Sequence, residues 1–190
     1  MKPLLIAIVI LALTACKKET LKPLEPQMMY QDLQNAEIKY NTFKRLDLDG
    51  NGTTDVRFGT YHIGDPLTQM DKIQFHAASM IESNFPIDQH DNAPVFSKGT
   101  IIKTNNTADY EWFRVSLVVL AQKNIPVTGT IHWTGNWKDV SRQYLPIQLL
   151  KGNQRYNGWI ELSFDMENEK IILHKAAISN TPDVDIVAGN

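Results

Sequence analysis

Residues 46–62 read Leu46-Asp47-Leu48-Asp49-Gly50-Asn51-Gly52-Thr53-Thr54-Asp55-Val56-Arg57-Phe58-Gly59-Thr60-Tyr61-His62. The second half of this stretch decides the fold class. Val56, Phe58, Thr60 and His62 alternate with Arg57 and Tyr61, and period two is the pattern of a half-buried strand. Upstream, Ile38, Tyr40 and Thr42 alternate in the same way ahead of Leu46. Asp, Asn and Gly crowd the segment between the two runs and favour a turn. The whole unit, 37–62, therefore predicts strand, loop, strand.

The pattern continues outward. Ile73, Phe75 and Ala77 alternate as well, but Met70, Ile73, Ala77 and Met80-Ile81 also share one face of a helix. Residues 68–82 thus admit either a strand or one short helix. Residues 84–98, with Pro86 and Pro94, read as a loop. Further strands are expected at 99–103, 111–121, 127–134, 144–150, 156–164 and 169–177. Gly135 and Gly152-Asn153 punctuate them, and 151–154 and 167–170 read as hairpin turns. Many short strands joined by turn residues predict a mostly β fold, an antiparallel sandwich or open barrel with at most one short helix.

The N-terminus has a different logic. Lys2 is followed by the apolar run Leu4 to Leu13, which has the length of a signal peptide and is too short to span a bilayer comfortably. Leu13-Thr14-Ala15-Cys16 comes next. It resembles the lipobox of bacterial lipoprotein precursors: a large aliphatic residue, two small ones, then the cysteine whose thiol is acylated. The resemblance implies cleavage before Cys16 by signal peptidase II, and a membrane anchor of several acyl chains, which together hold far more firmly than one. Lys17 follows, where Asp would suggest inner-membrane retention under the enteric sorting rule. An outer-membrane lipoprotein of the cell envelope is therefore expected, with the leaflet open. The expected organisation is a signal peptide at 1–15, a lipidated tether at 16–30, a single β-rich domain at 31–180 and a polar tail at 181–190, frayed except at Val184, Ile186 and Val187.

Cys16 is the only cysteine, so no internal disulfide holds the domain. The formal charge is −2, and removal of the leader takes away only Lys2 among charged side chains. A near-neutral chain argues against nucleic acid as a partner, because such binding needs a basic face that releases counterions. Lys17, Lys18 and Lys22 form the clearest basic cluster and read as part of a solvated tether.

The Asp-rich loop is the sharpest chemical motif. Asp47, Asp49, Asn51 and Asp55 place oxygen-bearing side chains at positions 1, 3, 5 and 9, and Gly52 at position 6 permits a sharp turn that brings the Thr53 carbonyl round. Ca²⁺ is a hard ion that takes six to eight oxygens, so Asp47, Asp49, Asn51, Thr53 and Asp55 are the candidate ligands. The spacing is similar to the loops of EF-hands, dockerins and integrin-like propellers, although position 12 is Phe58 and the flanks read as strands. Three carboxylates in nine residues without a basic residue among them repel one another, which favours a bound cation over a merely solvated hairpin. The expected role is structural.

Other chemistry is sparse. The five histidines, His62, His76, His90, His132 and His174, form no HExxH or other metal spacing. His62, His76, His132 and His174 read as surface or satisfied core residues, and His90-Asp91 sits in a loop. There is no GxSxG, no phosphate-binding glycine loop and no thiol left after lipidation. Trp133 and Trp137 bracket the polar turn Thr134-Gly135-Asn136. If exposed, they form a platform that stacks on a sugar ring; the structural alternative is that they cover a core edge.

Two stretches carry a family resemblance. One is the unit at 37–62. The other runs from Arg142-Gln143-Tyr144-Leu145-Pro146-Ile147-Gln148-Leu149 through Gly152 to Tyr156-Asn157-Gly158-Trp159-Ile160-Glu161-Leu162. Together they resemble a group of secreted proteins and lipoproteins of Bacteroidota, of unknown function, in which an RYLGxxF…G…YGWxxL pattern spans a C-terminal hairpin. The resemblance implies a β-rich extracytoplasmic domain and carries over no catalytic residue. The expectation is a membrane-anchored, calcium-stabilised domain with a structural or interaction role and a glycan or protein partner. The alternative is a glycan- or small-ligand-binding module using Trp133 and Trp137.

Overall fold

A computed structural model of the protein describes residues 26–114 and 117–190. The expected signal peptide at 1–15 and Cys16 lie outside the described residues. Among these residues there are thirteen strands and no helix. A six-stranded sheet contains Met28–Ile38 (β1), Ser83–Ile87 (β5), Glu111–Arg114 (β7), Gln143–Lys151 (β10), Gln154–Asp165 (β11) and Lys170–Ser179 (β12), in the order β1-β12-β11-β10-β5-β7. A five-stranded sheet contains Lys44–Leu46 (β2), Val56–Asp65 (β3), Met70–Ser79 (β4), Leu117–Pro126 (β8) and His132–Thr134 (β9), in the order β2-β3-β4-β8-β9. Ile101–Ile102 (β6) and Ile186–Val187 (β13) form a two-stranded ribbon. Every strand pairing is antiparallel.

The main core lies between the two larger sheets. Val56, Phe58, Phe75, Val118 and Leu120 from the five-stranded sheet meet Leu145, Ile147, Ile160, Leu162, Ile171 and Leu173 from the six-stranded one. Each of these side chains stabilises the fold by roughly 1.5–3 kcal/mol on burial. The six-stranded sheet is covered on its other face too. There Tyr144, Trp159 and Ala177 pack against Phe96, Ile102, Tyr110, Ile186 and Ala188. The result is a sandwich with a third, smaller layer made from the 96–110 segment and the C-terminal residues.

Several elements differ from the sequence reading. Within 68–82, Met70–Ser79 is strand and not helix, because Phe75 and Ala77 enter the core at period two. The expected loop at 84–98 contains β5, which lies inside the six-stranded sheet despite Pro86. Only Ser83 and Asn84 pair with β10, so Pro86 falls beyond that ladder. The run at 111–121 is two strands in different sheets, on either side of 115–116. The strand expected at 127–134 is confined to His132–Thr134, after Gly129 at φ 113°. β1 begins at Met28, inside the stretch read as tether, and the docking of the tail extends past the excepted apolar residues: Ala188 as well as Ile186 is buried in the second core.

Candidate metal centre

The Asp-rich loop joins two paired strands. Leu46 of β2 faces Val56 of β3, and the Asp55 N–H donates to the Leu46 carbonyl at 2.8 Å, closing the base. Leu46 and Leu48 are buried in the main core and hold the loop down. The Asp55 carbonyl accepts from the Met80 N–H at 2.9 Å and from the Ser83 hydroxyl at 2.6 Å, tying the loop to the turn before β5. Gly50 at φ 70° and Gly52 at φ 85° supply the left-handed turns that a side chain disfavours.

Within the loop the carboxylates converge. One oxygen from each of Asp47, Asp49 and Asp55 lies within 4.8 Å of the others. Backbone amides orient them. Gly52 N–H donates to Asp47 Oδ2 at 2.7 Å, Asn51 N–H to Asp47 Oδ1 and Asp49 Oδ1 at 3.2 Å each, and Leu48 N–H to Asp55 Oδ2 at 2.6 Å. Asn51 is held beside them, with Nδ2 donating to Asp49 Oδ2 at 3.1 Å, while its Oδ1 accepts from the Thr53 N–H at 2.6 Å. Three of the five sequence-predicted ligands are therefore gathered as acids. Asn51 presents its amide nitrogen to that group, and the described contacts of Thr53 run to Asn51 instead.

The electrostatics are those of crowded acids. Burial raises the Asp55 pKa to about 6, with Asp49 and Asp47 adding to the rise and the Leu48 amide opposing it. Burial also pushes Asp49 upward, but the Lys151 ammonium at 2.8 Å and the Asn51 amide outweigh it and hold Asp49 below its ordinary value. Lys151 comes from the end of β10 and was invisible to local spacing, because the β10–β11 hairpin brings it in from a hundred residues away. Its own pKa is raised by Asp49. The three carboxylates, hard oxygen donors, fit a hard divalent cation.

Of the two readings of the tryptophans, Trp137 takes the structural one. Trp137 is fully buried, and its indole N–H donates to the Ala93 carbonyl at 3.0 Å. Trp133 is half-buried, 5.9 Å from Phe75 and 5.2 Å from Phe164 between ring centroids. The cause is Gly135, at φ 102°, where a Cβ would stand 2.5 Å from the Leu120 carbonyl. That close turn sends Trp137 inward. Among the histidines, His174 is satisfied by Asn35 at 2.7 Å and Ser163 at 2.8 Å. His76 is not: it is fully buried, and no side chain among the described residues bonds either ring nitrogen.

The fold and the loop define the class: an all-β sandwich carrying an acidic loop between two strands of one sheet. No protein-family model, curated protein or solved structure matches the chain.

Proposed function

We propose that this is a lipid-anchored extracytoplasmic domain of the cell envelope, of the Bacteroidota type described above, with a structural or interaction role and a calcium ion stabilising its Asp-rich loop. The observation that carries the reading is the convergence of Asp47, Asp49 and Asp55 within 4.8 Å on a loop fixed at its base. Lys151 offsets the charge of Asp49, the remaining carboxylates still repel one another at neutral pH, and a bound cation turns that repulsion into binding energy. Asp47, Asp49 and Asp55 supply carboxylate oxygens, and reorientation of Asn51 and the Thr53 carbonyl adds two more. The ion would hold β2 against β3 and take no part in a reaction. Attachment through acyl chains on Cys16 and a position in the outer membrane rest on the leader sequence.

The test is thermal unfolding of the full chain in detergent, in EDTA and in millimolar Ca²⁺. Extracellular calcium modules bind at about 10⁻⁴–10⁻³ M. Mass action at a few millimolar then gives about 1–2 kcal/mol, or a rise in Tm of roughly 2–8 °C for a chain of this size. Asp47→Ala should abolish the rise, and equal melting temperatures in the two buffers would sink the calcium reading. For the anchor, Cys16→Ser should block acyl labelling and leave an uncut precursor. Normal processing of that variant would refute it.

A further inference from the structure

The outer face of the five-stranded sheet carries a second unbalanced site, of the opposite sign. Phe58 and Val56 enter the core, so Arg57, Gly59 and Tyr61 of β3 face away from it. In the β2–β3 ladder Arg45 stands directly opposite Arg57. Like charges in that register destabilise a sheet. Neither guanidinium is in ion-pair contact with a carboxylate among the described residues. Both instead lie over one ring: each Cζ is 5.1 Å from the centroid of Phe43. Arg57 Nε is buried without an acceptor.

His76 lies in the same place. It faces Gly59 across the β3–β4 ladder. A Cβ at Gly59 would come 3.4 Å from His76 Cε1 and Nε2, so the missing side chain makes room for the imidazole. Tyr61 stacks on it at 4.3 Å and 14°. No side chain among the described residues bonds either imidazole nitrogen. Burial, helped by Arg57 and opposed by the Gln74 backbone, lowers its pKa to about 4, so at neutral pH the ring offers one N–H donor and one acceptor. The site thus combines two guanidinium forks, a buried imidazole with no side-chain partner and two exposed aromatic rings, Phe43 at 55% and Tyr61 at 43% exposure. Donors outnumber acceptors, and positive charge is uncompensated.

We propose that Arg45 and Arg57 form a clamp for an oxyanion (a sulfate, phosphate or carboxylate), with the Phe43 ring against both guanidiniums and His76 beside Gly59 next to Arg57 on the same strand face. Planar guanidinium forks match the geometry of such groups, and charge-assisted hydrogen bonds to them are the strong ones. A bound oxyanion places negative charge between the two facing arginines and gives Arg57 Nε the acceptor it lacks. The group arrives either as a free ion or on an acidic glycan, whose ring the exposed Phe43 and Tyr61 edges can flank.

The experiment uses the full chain in detergent and EDTA, so that the Asp-rich loop is metal-free throughout. Inorganic sulfate, inorganic phosphate and a sulfated disaccharide are titrated against chloride at matched ionic strength. Tm and the ¹⁵N-labelled Arg Nε–H resonances are read. Saturable shifts of the Arg57 resonance and a rise in Tm above chloride are expected with at least one probe. Arg45→Gln, at an exposed position, should weaken that binding by about tenfold or more, as expected for loss of a charge-assisted pair. In chloride alone the same variant should melt higher than the parent, because the facing charges are gone. Arg114→Gln, on the other sheet, should bind like the parent. Tighter binding of the disaccharide than of free sulfate identifies a glycan-borne group, and the reverse order identifies a free ion. Shifts no larger than those in chloride, or an undiminished response in Arg45→Gln, would overturn the clamp. So would a lower melting temperature of Arg45→Gln in chloride, which marks the arginines as packing for Phe43 alone.

Discussion

Asp55→Asn separates the charge of the buried carboxylate from its shape. Asp55 is 5% exposed, and burial together with Asp49 and Asp47 raises its pKa from 3.8 to about 6. The folded chain therefore holds this proton more tightly than the unfolded chain does. Linkage fixes the sign. The stability contributed by the group is fully present below about pH 3.8 and is lost as the pH rises through about 6. Two pKa units at about 1.4 kcal/mol each put the cost near 3 kcal/mol at pH 7.5 in metal-free protein. The amide of the variant keeps an oxygen for the Leu48 N–H, which donates to Asp55 at 2.6 Å, and brings no charge. In EDTA at pH 7.5 the variant should be more stable than the parent by about 2–3 kcal/mol, a rise in Tm of roughly 4–12 °C. At pH 4 the two should converge. In millimolar Ca²⁺ at pH 7.5 the parent should gain and the variant should not. Urea or thermal unfolding at pH 4, 5.5 and 7.5 measures all three. A variant less stable than the parent in EDTA at pH 7.5, or a gap that does not change with pH, would refute the electrostatic reading of the loop.

Two further substitutions test the packing. Gly158→Ala places a Cβ 2.5 Å from the Ala177 carbonyl and 2.6 Å from Ile178 Cδ1; the β11–β12 pairing must open, and urea unfolding should show a loss of about 3 kcal/mol or more. Ile186→Asp puts an unpaired carboxylate into the second core, where Ile186 is buried against β6. It should cost about 3 kcal/mol or more and weaken the near-ultraviolet dichroism of Trp159, whose indole N–H donates to the Asn190 carbonyl at 3.2 Å. Parent-like stability in either variant would show that the face in question is loosely packed.

The legible parts of the fold were those with one core face. β3 and β4 alternate because their outer faces carry Arg57, Tyr61 and Gln74 while Phe58 and Phe75 point inward. β10 is covered on both faces, so Tyr144 and Leu145 are both buried and the alternation fades. Its polar Gln148 signalled solvent but is buried, bonded to Asn157 at 3.0 Å and to the Thr104 carbonyl at 3.0 Å. β5 was hidden by Pro86 and by its brevity, and the burial of Ala188 by the polar letters around it. The choice between the two readings of Trp137 was not legible because sequence marks Gly135 as a turn without saying which way the chain leaves it. The acidic cluster was legible for the opposite reason: all its carboxylates lie within one nine-residue loop, so spacing alone brings them together.

The arginine pair shows where local reading ends and geometry begins. Arg45 and Arg57 face each other in the register that pairs Leu46 with Val56. The loop between those residues is long enough for Asp55 to reach back to the Leu48 amide and the Leu46 carbonyl. Leu46, Val56 and Phe58 are buried in the main core and pin the register, so a residue inserted in the loop is taken up there. A single-residue insertion after Thr54 should therefore disturb the convergence of Asp47 and Asp49 on Asp55 and reduce the calcium response while sparing the oxyanion response, as Asp47→Ala should, whereas Arg45→Gln should remove only the oxyanion response.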